Sequence, residues 1–432
     1  NDAFQEVDIV GITRSITKYG VTVRNREDLG RIIKEAFYIA GTGRPGPVLI
    51  DIPMDVQKAV IDFEYPEKCE IRSYKPTTKG NYVQVRRVMA ALEEAEKPLI
   101  CIGGGVFAAH AENEIRELAD IMQIPVITTM MGISVFPDDD QLFCGMIGTH
   151  GVKMANAAVN ECDVLFLVGA RVGDRAVKTP LALEKTTKII HIDIDPAEIG
   201  KNIGADLPLV GDAKLVLQQM TELAKPMKHD EWIAHIKTLG GERKYVEPAK
   251  GTVNPRVFID RLAKKMPANV TVVADVGQNQ IWTCTEYKFR KEGRLLTSGG
   301  MGTMGYSVPA AIGAKMADDS RATVAICGDG AFQMSFMELA TAVQFGVDIK
   351  VVVMTNNRLG MVRELQTNGY HDRQTAVFLD GSPDFIKLAE AYGIPAMRVY
   401  DDDTMEKGVE MLAEHKGICL VEVVVDKDMP TL

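Results

Sequence analysis

Thr323-Val324-Ala325-Ile326-Cys327-Gly328-Asp329-Gly330-Ala331 is an apolar, β-branched run that ends on a glycine-flanked acid, and a helical pattern follows at Met334–Val343. A short apolar run closed in this way reads as a strand of a parallel sheet, buried on both faces, that turns sharply into a helix. The next such run, Ile349–Met354, ends at Thr355-Asn356-Asn357. The ends of parallel strands share the carboxyl edge of their sheet, where ligands bind. One carboxylate, one amide oxygen and a nearby main-chain carbonyl make an incomplete hard-oxygen shell, and Mg²⁺ is held this way when a diphosphate supplies the rest. Singly, Gly-Asp-Gly is a plain turn and Asn-Asn a loop start; it is their spacing that points to a site.

Working outward, the same alternation recurs. Val48–Ile52, Leu99–Ile102, Val164–Val168, Lys188–Ile194, Val270–Ala274 and Cys419–Val425 are further β-branched runs, and helical periodicity lies between them, as in Val85-Val88-Met89-Leu92 and Ile115-Leu118-Ile121-Met122. The fold class is α/β, with strands feeding parallel sheets covered by helices. Proline- and charge-rich stretches at Tyr65–Asn81 and Lys225–Pro255 divide the chain. The units expected are 1–58, a linker 59–81, a central domain 82–224, a linker 225–251 and a C-terminal domain 252–432. The opening unit is short for an independent fold, and its strand within Pro47–Pro53 is expected to find its neighbours upstream of Asn1. Asn1 is not an initiating methionine, so the chain reads as a fragment.

The chain has 432 residues, 46% of them apolar, with 49 basic against 59 acidic residues and a net charge of −10. That composition is globular and gives no footprint for nucleic acid or for anionic membranes, leaving small metabolites as the partners. The seven cysteines contain no C-x-x-C pair and lie mostly in apolar runs, as reduced core thiols do. A cytoplasmic location is expected. Neither a spanning segment nor a signal-like start is visible, the histidines show no metal spacing, and no serine sits in a nucleophile elbow.

Two more stretches of the C-terminal unit carry chemistry. Asp275-Val276-Gly277-Gln278-Asn279-Gln280 closes one strand, and Gly299-Gly300-Met301-Gly302-Thr303-Met304-Gly305-Tyr306 is a glycine-rich loop before a helix at Pro309–Met316, an arrangement suited to phosphate. Met304 is either core filler or a prop for a cofactor ring. In the central unit, Gly103-Gly104-Gly105 after a strand fits a nucleotide loop or a tight turn. Asp193 and Asp195 could meet a ribose hydroxyl or cap a helix at Pro196, and Arg171 and Arg175 could pair with Glu184 or Asp174.

The C-terminal unit resembles the diphosphate-binding domain of thiamin diphosphate enzymes. Within them, Asp-Val-Gly-Gln-x-Gln-x-Trp at 275–282, Gly-Thr-Met-Gly-Tyr at 302–306 and Leu-Gly-Met-Val at 359–362 are similar to acetohydroxyacid (acetolactate) synthase catalytic subunits. Asp2–Glu6, Thr13–Lys18 and Gly43–Pro47 resemble the end of that family's pyrimidine-binding domain. Gly103–Gly105, Gly169–Arg171 with Asp174-Arg175, and His191–Asp195 resemble its FAD-binding domain. The resemblance implies successive doubly wound parallel-sheet domains and an enzyme that decarboxylates pyruvate and transfers a hydroxyethyl group to a second 2-oxoacid, in branched-chain amino acid biosynthesis. Another thiamin diphosphate enzyme on this scaffold, such as a glyoxylate carboligase or a pyruvate oxidase, and a non-catalytic nucleotide-binding protein are the alternatives.

By the same resemblance Asp329, Asn356 and the carbonyl of Arg358 would ligate Mg²⁺, and Val276, Gly277, Gln278, Asn279, Gly302, Met304, Gly330, Ala331, Gly360 and Met361 would complete the thiamin diphosphate site. FAD would lie on Arg44, Gly104, Gly105, Thr129, Met130, Gly132, Gly148, Thr149, His150, Gly169, Ala170, Arg171, Asp193, Ile194 and Asp212. Gln5, Arg175 and Met304 would be catalytic, and Phe4, Gln5, Arg175 and Leu365 would meet substrate. A homodimer or tetramer with shared active sites, with a small regulatory subunit as a further partner, is implied too. Four positions depart from the pattern: Met54 stands where relatives carry Lys, Gly173 where they often have Asp, Asn279 where they usually have His, and Leu365 where they have Trp. The family's tail belongs to a part following Leu432, and its activating glutamate to a part of the pyrimidine domain preceding Asn1, so without that N-terminal segment the chain as given is expected to be inactive.

Overall fold

The computed structural model describes Phe4, residues 6–241 and residues 245–432. Three parallel sheets follow one another along the chain. The first pairs β1 (Tyr19–Thr22) with β2 (Val48–Asp51), in the register Tyr19 to Val48. The 47–53 strand thus has a partner within the opening unit, at variance with the expectation that its neighbours lie upstream; β1, with Gly20 and no apolar run, is too short and mixed to be legible. Lys18 Nζ donates to the carbonyl of Ile39 (2.7 Å) and to Tyr74 Oη (2.7 Å), tying the following segment back onto this unit.

The second sheet contains β3 (Pro98–Ile102), β4 (Val126–Thr128), β5 (Phe143–Met146), β6 (Val164–Val168), β7 (Lys188–Asp193) and β8 (Leu207–Val210), in the order β5-β4-β3-β6-β7-β8. Its core divides by strand alternation: Ile100, Ile102, Phe166 and Val168 pack on one face, and Leu99, Cys101, Leu165 and Leu167 on the other. Both faces are covered by helices, which is why these strands are apolar throughout. Residues 225–251 include a helix, Asp230–Thr238, whose buried Trp232 donates Nε1–H to the carbonyl of Pro98 at 3.0 Å.

The third sheet is built from β9 (Thr271–Ala274), β10 (Arg294–Thr297), β11 (Thr323–Gly328), β12 (Lys350–Thr355), β13 (Ala396–Val399) and β14 (Cys419–Val424), in the order β10-β9-β11-β12-β14-β13. The stretch expected as one helix over Met334–Val343 is broken. A single turn at Asp329–Phe332 follows β11 directly, a 3₁₀ turn spans Phe336–Glu338, and the helix proper is Leu339–Gln344, the break falling at buried Ser335.

Each six-stranded sheet has one place where the chain leaves in one direction and returns to build in the other: between β3 and β6 in the second sheet, and between β9 and β11 in the third. Open α/β sheets bind ligands at such switch points, beyond the carboxyl ends of the strands. The two units meet beside the edge strand β10. Ser134 Oγ accepts from the Leu295 N–H (2.9 Å), Arg294 pairs with Glu112 (2.8 Å), and Met131 packs against Gly299. All seven cysteines are free, six of them buried, and among the described residues no helix is long and apolar enough to cross a membrane.

Candidate active site

At the switch point of the third sheet, the turns after β9, β11 and β12 open a cavity of about 620 Å³. Val276, Gly277, Gln278, Asn279, Met304, Asp329, Gly330, Ala331, Asn356, Arg358, Gly360 and Met361 all line it, so twelve of the thirteen residues expected at the cofactor site converge here; Gly302 does not line it. Trp282, Met354, Leu359, Val362 and Val425 complete the wall as an apolar surface. None of the five was assigned to the site, although Trp282, Leu359 and Val362 belong to the stretches that carry the family resemblance; Met354 and Val425 are apolar strand ends that read as core until a cavity is seen beside them.

Asp329 is the electrostatic centre. It is 2% exposed, its Oδ1 accepts from the Gly330 N–H (2.8 Å), and its Oδ2 accepts from the N–H groups of Asn356 (3.1 Å) and Asn357 (2.6 Å). Those bonds knit the ends of β11 and β12 together. Burial outweighs them and pushes the Asp329 carboxyl up to about 6. Among the described residues no basic side chain pairs with it. A buried carboxylate whose charge is unbalanced, beside an amide oxygen and an open cavity, fits a divalent cation.

Asp275, fully buried at the end of β9, holds the glycine-rich loop. Its Oδ1 accepts from the N–H of Val276 (2.8 Å) and Gly305 (3.0 Å), and its Oδ2 from that of Ser307 (2.8 Å). Met304 is thereby set against the cavity. Asn279 sits across the switch point, its Nδ2 donating to the carbonyls of Asp275 (2.7 Å) and Ile326 (3.3 Å). Gly277 turns the chain at φ +139°, and a Cβ there would lie 2.7 Å from Asn279 Oδ1; a Cβ on Gly360 would overlap Gln278 Oε1.

The remaining expected residues fall elsewhere. Gln5 lies outside the described residues, and Phe4 is 93% exposed. Arg175, with its side chain 83% exposed, makes only a 3.9 Å contact with Asp174, while Leu365 is 63% exposed on the helix Gly360–Gly369 and does not line the cavity. Met54 and Gly173 also stay away from it. Arg358 pairs with Asp380 (2.7 Å) and lies over the Phe378 ring, so its side chain is engaged there.

In the central unit the residues expected to hold a flavin line up along one edge. Gly104 and Gly105 follow β3, Thr129, Met130 and Gly132 follow β4, Gly148, Thr149 and His150 follow β5, Gly169, Ala170 and Arg171 follow β6, Asp193 and Ile194 close β7, and Asp212 follows β8. The backbones flanking the switch point are in contact: Gly105 N–H donates to the Gly169 carbonyl at 3.0 Å, and a Cβ on Gly103 would overlap that same carbonyl. Asp193 and Asp195 shape the turn locally, with Asp195 N–H donating to Asp193 Oδ1 (2.9 Å) and Ala197 N–H to Asp195 Oδ1 (3.0 Å). Asp212 caps the helix Ala213–Thr221, and Arg44 pairs with Glu198 (2.8 Å) and Asp195 (3.3 Å). Glu184 accepts instead from Gly204 N–H (2.6 Å). His150 is held low by burial, opposed by the charge of Glu364 on the third sheet's side, which places the two edges within electrostatic reach.

Fold and site together define a thiamin diphosphate enzyme. Residues 275–423 match the family described as "Thiamine pyrophosphate enzyme, C-terminal TPP binding domain", and residues 85–220 match "Thiamine pyrophosphate enzyme, central domain". The chain is 40% identical over 440 residues to the probable acetolactate synthase large subunit of Methanocaldococcus jannaschii, covering 99% of this chain and 74% of that protein. It is 36% identical over 439 residues to acetolactate synthase isozyme 3 large subunit of Escherichia coli K12 (98% and 76%), and 40% identical over 443 residues to an acetolactate synthase of Mycobacterium bovis (98% and 70%). The chain belongs to the family of acetolactate synthase large subunits.

Proposed function

We propose that this chain works with thiamin diphosphate and Mg²⁺ to decarboxylate pyruvate and to transfer the hydroxyethyl group to a second 2-oxoacid, pyruvate or 2-oxobutyrate, early in valine, leucine and isoleucine biosynthesis. The observation that carries this reading is Asp329, a buried carboxylate without a counter-charge among the described residues, facing one cavity with Asn356 and Met304. Bound thiamin diphosphate supplies the electron sink for the carbon that loses CO₂. Asp329, Asn356 and the Arg358 carbonyl would hold Mg²⁺. Gly277 and Gly330 would let the backbone approach a diphosphate closely beside Gln278, and Met304, anchored through Asp275, would set the ring's bend. Trp282, Met354, Leu359 and Val425 would keep water from the reacting carbon. The test is calorimetric thiamin diphosphate binding in the presence of Mg²⁺. Asp329→Ala should abolish it with the fold intact, and parental affinity in that variant would remove the metal assignment.

A flavin on the carboxyl edge of the second sheet belongs to the same proposal. Its support is the set of loops gathered at the β3–β6 switch point and the backbone clearance that Gly103, Gly105 and Gly169 provide. Purified protein should be yellow, and Arg171→Ala should weaken flavin retention by removing a charge-assisted phosphate contact. Colourless protein that takes up no flavin in titration would oppose it. Phe4, Gln5, Arg175 and Leu365 are proposed, on the family resemblance, to meet substrate. The exposure of Arg175 and Leu365 suits completion of the site by a second copy, so a homodimer or tetramer, a regulatory small subunit and a cytoplasmic location are part of the reading.

A further inference from the structure

A chain of hydrogen bonds leads from the cavity to a carboxylate outside it, and every member has a forced direction. The Glu364 carboxylate accepts from the Thr431 hydroxyl in a short bond and from the Thr431 N–H at 3.2 Å. Having given its proton to Glu364, Thr431 Oγ1 is left as an acceptor and takes Gln278 Nε2–H at 3.2 Å. The Met429 carbonyl, which can only accept, takes the same Nε2 at 2.9 Å. Gln278 therefore presents Oε1 to the other side, where Asn356 Nδ2 donates to it at 3.2 Å.

From this geometry we infer that Glu364 and Thr431 are positioning residues that decide which atom of the Asn356 amide faces the metal position. The inference rests on the reading of Asp329 and Asn356 as Mg²⁺ ligands. An amide side chain presents an oxygen or an NH₂ in nearly the same shape, so its orientation is a matter of its neighbours. With Gln278 fixed, a flipped Asn356 would set two acceptors against each other and would lose the Arg358 N–H bond to Oδ1 (3.1 Å). The oxygen is thus kept on the side of Arg358 and Asp329, where a hard cation needs it. Gln278 and Thr431 are buried, so the Gln278–Thr431 link in the middle of the chain is shielded from water and its loss is poorly compensated. The segment that brings Thr431 here is itself held, with Trp282 Nε1 donating to the Pro430 carbonyl (3.1 Å) and Arg363 pairing with Asp428 (3.3 Å).

The experiment is a Mg²⁺ titration of the full chain at fixed thiamin diphosphate, followed by tryptophan emission. The chain has two tryptophans, and Trp282 lines the cavity. Thr431→Val should weaken Mg²⁺ by about tenfold, the scale of one misplaced buried hydrogen bond to a charged partner. Glu364→Gln should weaken it less, because an amide oxygen can still accept. Thr431→Ser, which keeps the hydroxyl, should titrate as the parent does. Parental Mg²⁺ affinity in Thr431→Val, or a loss in Thr431→Ser equal to that in Thr431→Val, would overturn the inference while leaving the metal reading in place. Parental Mg²⁺ affinity in Asp329→Ala, or a parent that shows no Mg²⁺ dependence, would overturn the metal reading and this inference with it.

Discussion

Lowering the pH should strip Mg²⁺ from this protein much earlier than an ordinary aspartate would allow. Asp329 is 2% exposed, and burial raises its carboxyl from 3.8 to about 6 in spite of three N–H donors. The folded chain then holds that proton more tightly than the unfolded chain. In the metal-free protein the ionised form costs about 3 kcal/mol of stability above pH 6, and this cost is relieved as the pH falls from about 6 to 3.8. Metal binding has the opposite sense, since it needs the carboxylate. Affinity should be level above about pH 7, halve near pH 6 and be down about elevenfold at pH 5, whereas a carboxyl at 3.8 would lose less than about a tenth there. The assay is calorimetry of Mg²⁺–thiamin diphosphate binding across that range, corrected for the proton dependence of the free Mg²⁺–thiamin diphosphate complex measured separately. An affinity that stays level from pH 7 to pH 5 would refute the reasoning.

Three further outcomes are expected. Gly360→Ala should displace Gln278 and reduce thiamin diphosphate affinity at least about tenfold, measured by calorimetry, because the added Cβ overlaps Gln278 Oε1. Asp275→Ala should strand three main-chain N–H groups, destabilise the C-terminal unit by about 3 kcal/mol and open the 299–306 loop to limited proteolysis; an unchanged digestion pattern would contradict the anchoring role. Gly103→Ala should abolish flavin uptake in an equilibrium titration, since its Cβ overlaps the Gly169 carbonyl at the switch point.

The interior of both large sheets was legible because β3, β6, β7, β9, β11, β12 and β14 are buried strands whose apolar runs admit little else. Five of the strands that escaped notice, β1, β5, β8, β10 and β13, lie at sheet edges, and β4 is only three residues long. An edge strand packs on fewer neighbours and tolerates Gly145 or Pro208, which erase the run that marks a strand. The Asp329–Asn356 pair was readable because one strand interval separates two ends that share an edge. The anchoring role of Asp275 was not, since its partners Gly305 and Ser307 lie 30 and 32 residues away. Nor could spacing reveal that Gln278 joins Asn356 to Thr431, which depends on where helices settle against the sheet.

The packing of Met131 on Gly299 puts the turn after β4 in the second sheet in contact with the turn after β10 in the third, a route by which order at one edge would be felt at the other. Met131 lies in the turn after β4, among residues proposed to hold flavin, and Gly299 opens the loop that carries Met304. A ligand that orders one turn lowers the entropy cost of ordering the other, so occupancy of either edge should raise affinity at the opposite one. Equilibrium linkage makes the two enhancements equal, whichever ligand arrives first. Shortening Met131 to alanine would then lower both affinities by a common factor, and the protein's response to scarcity of one vitamin-derived cofactor would include looser retention of the other.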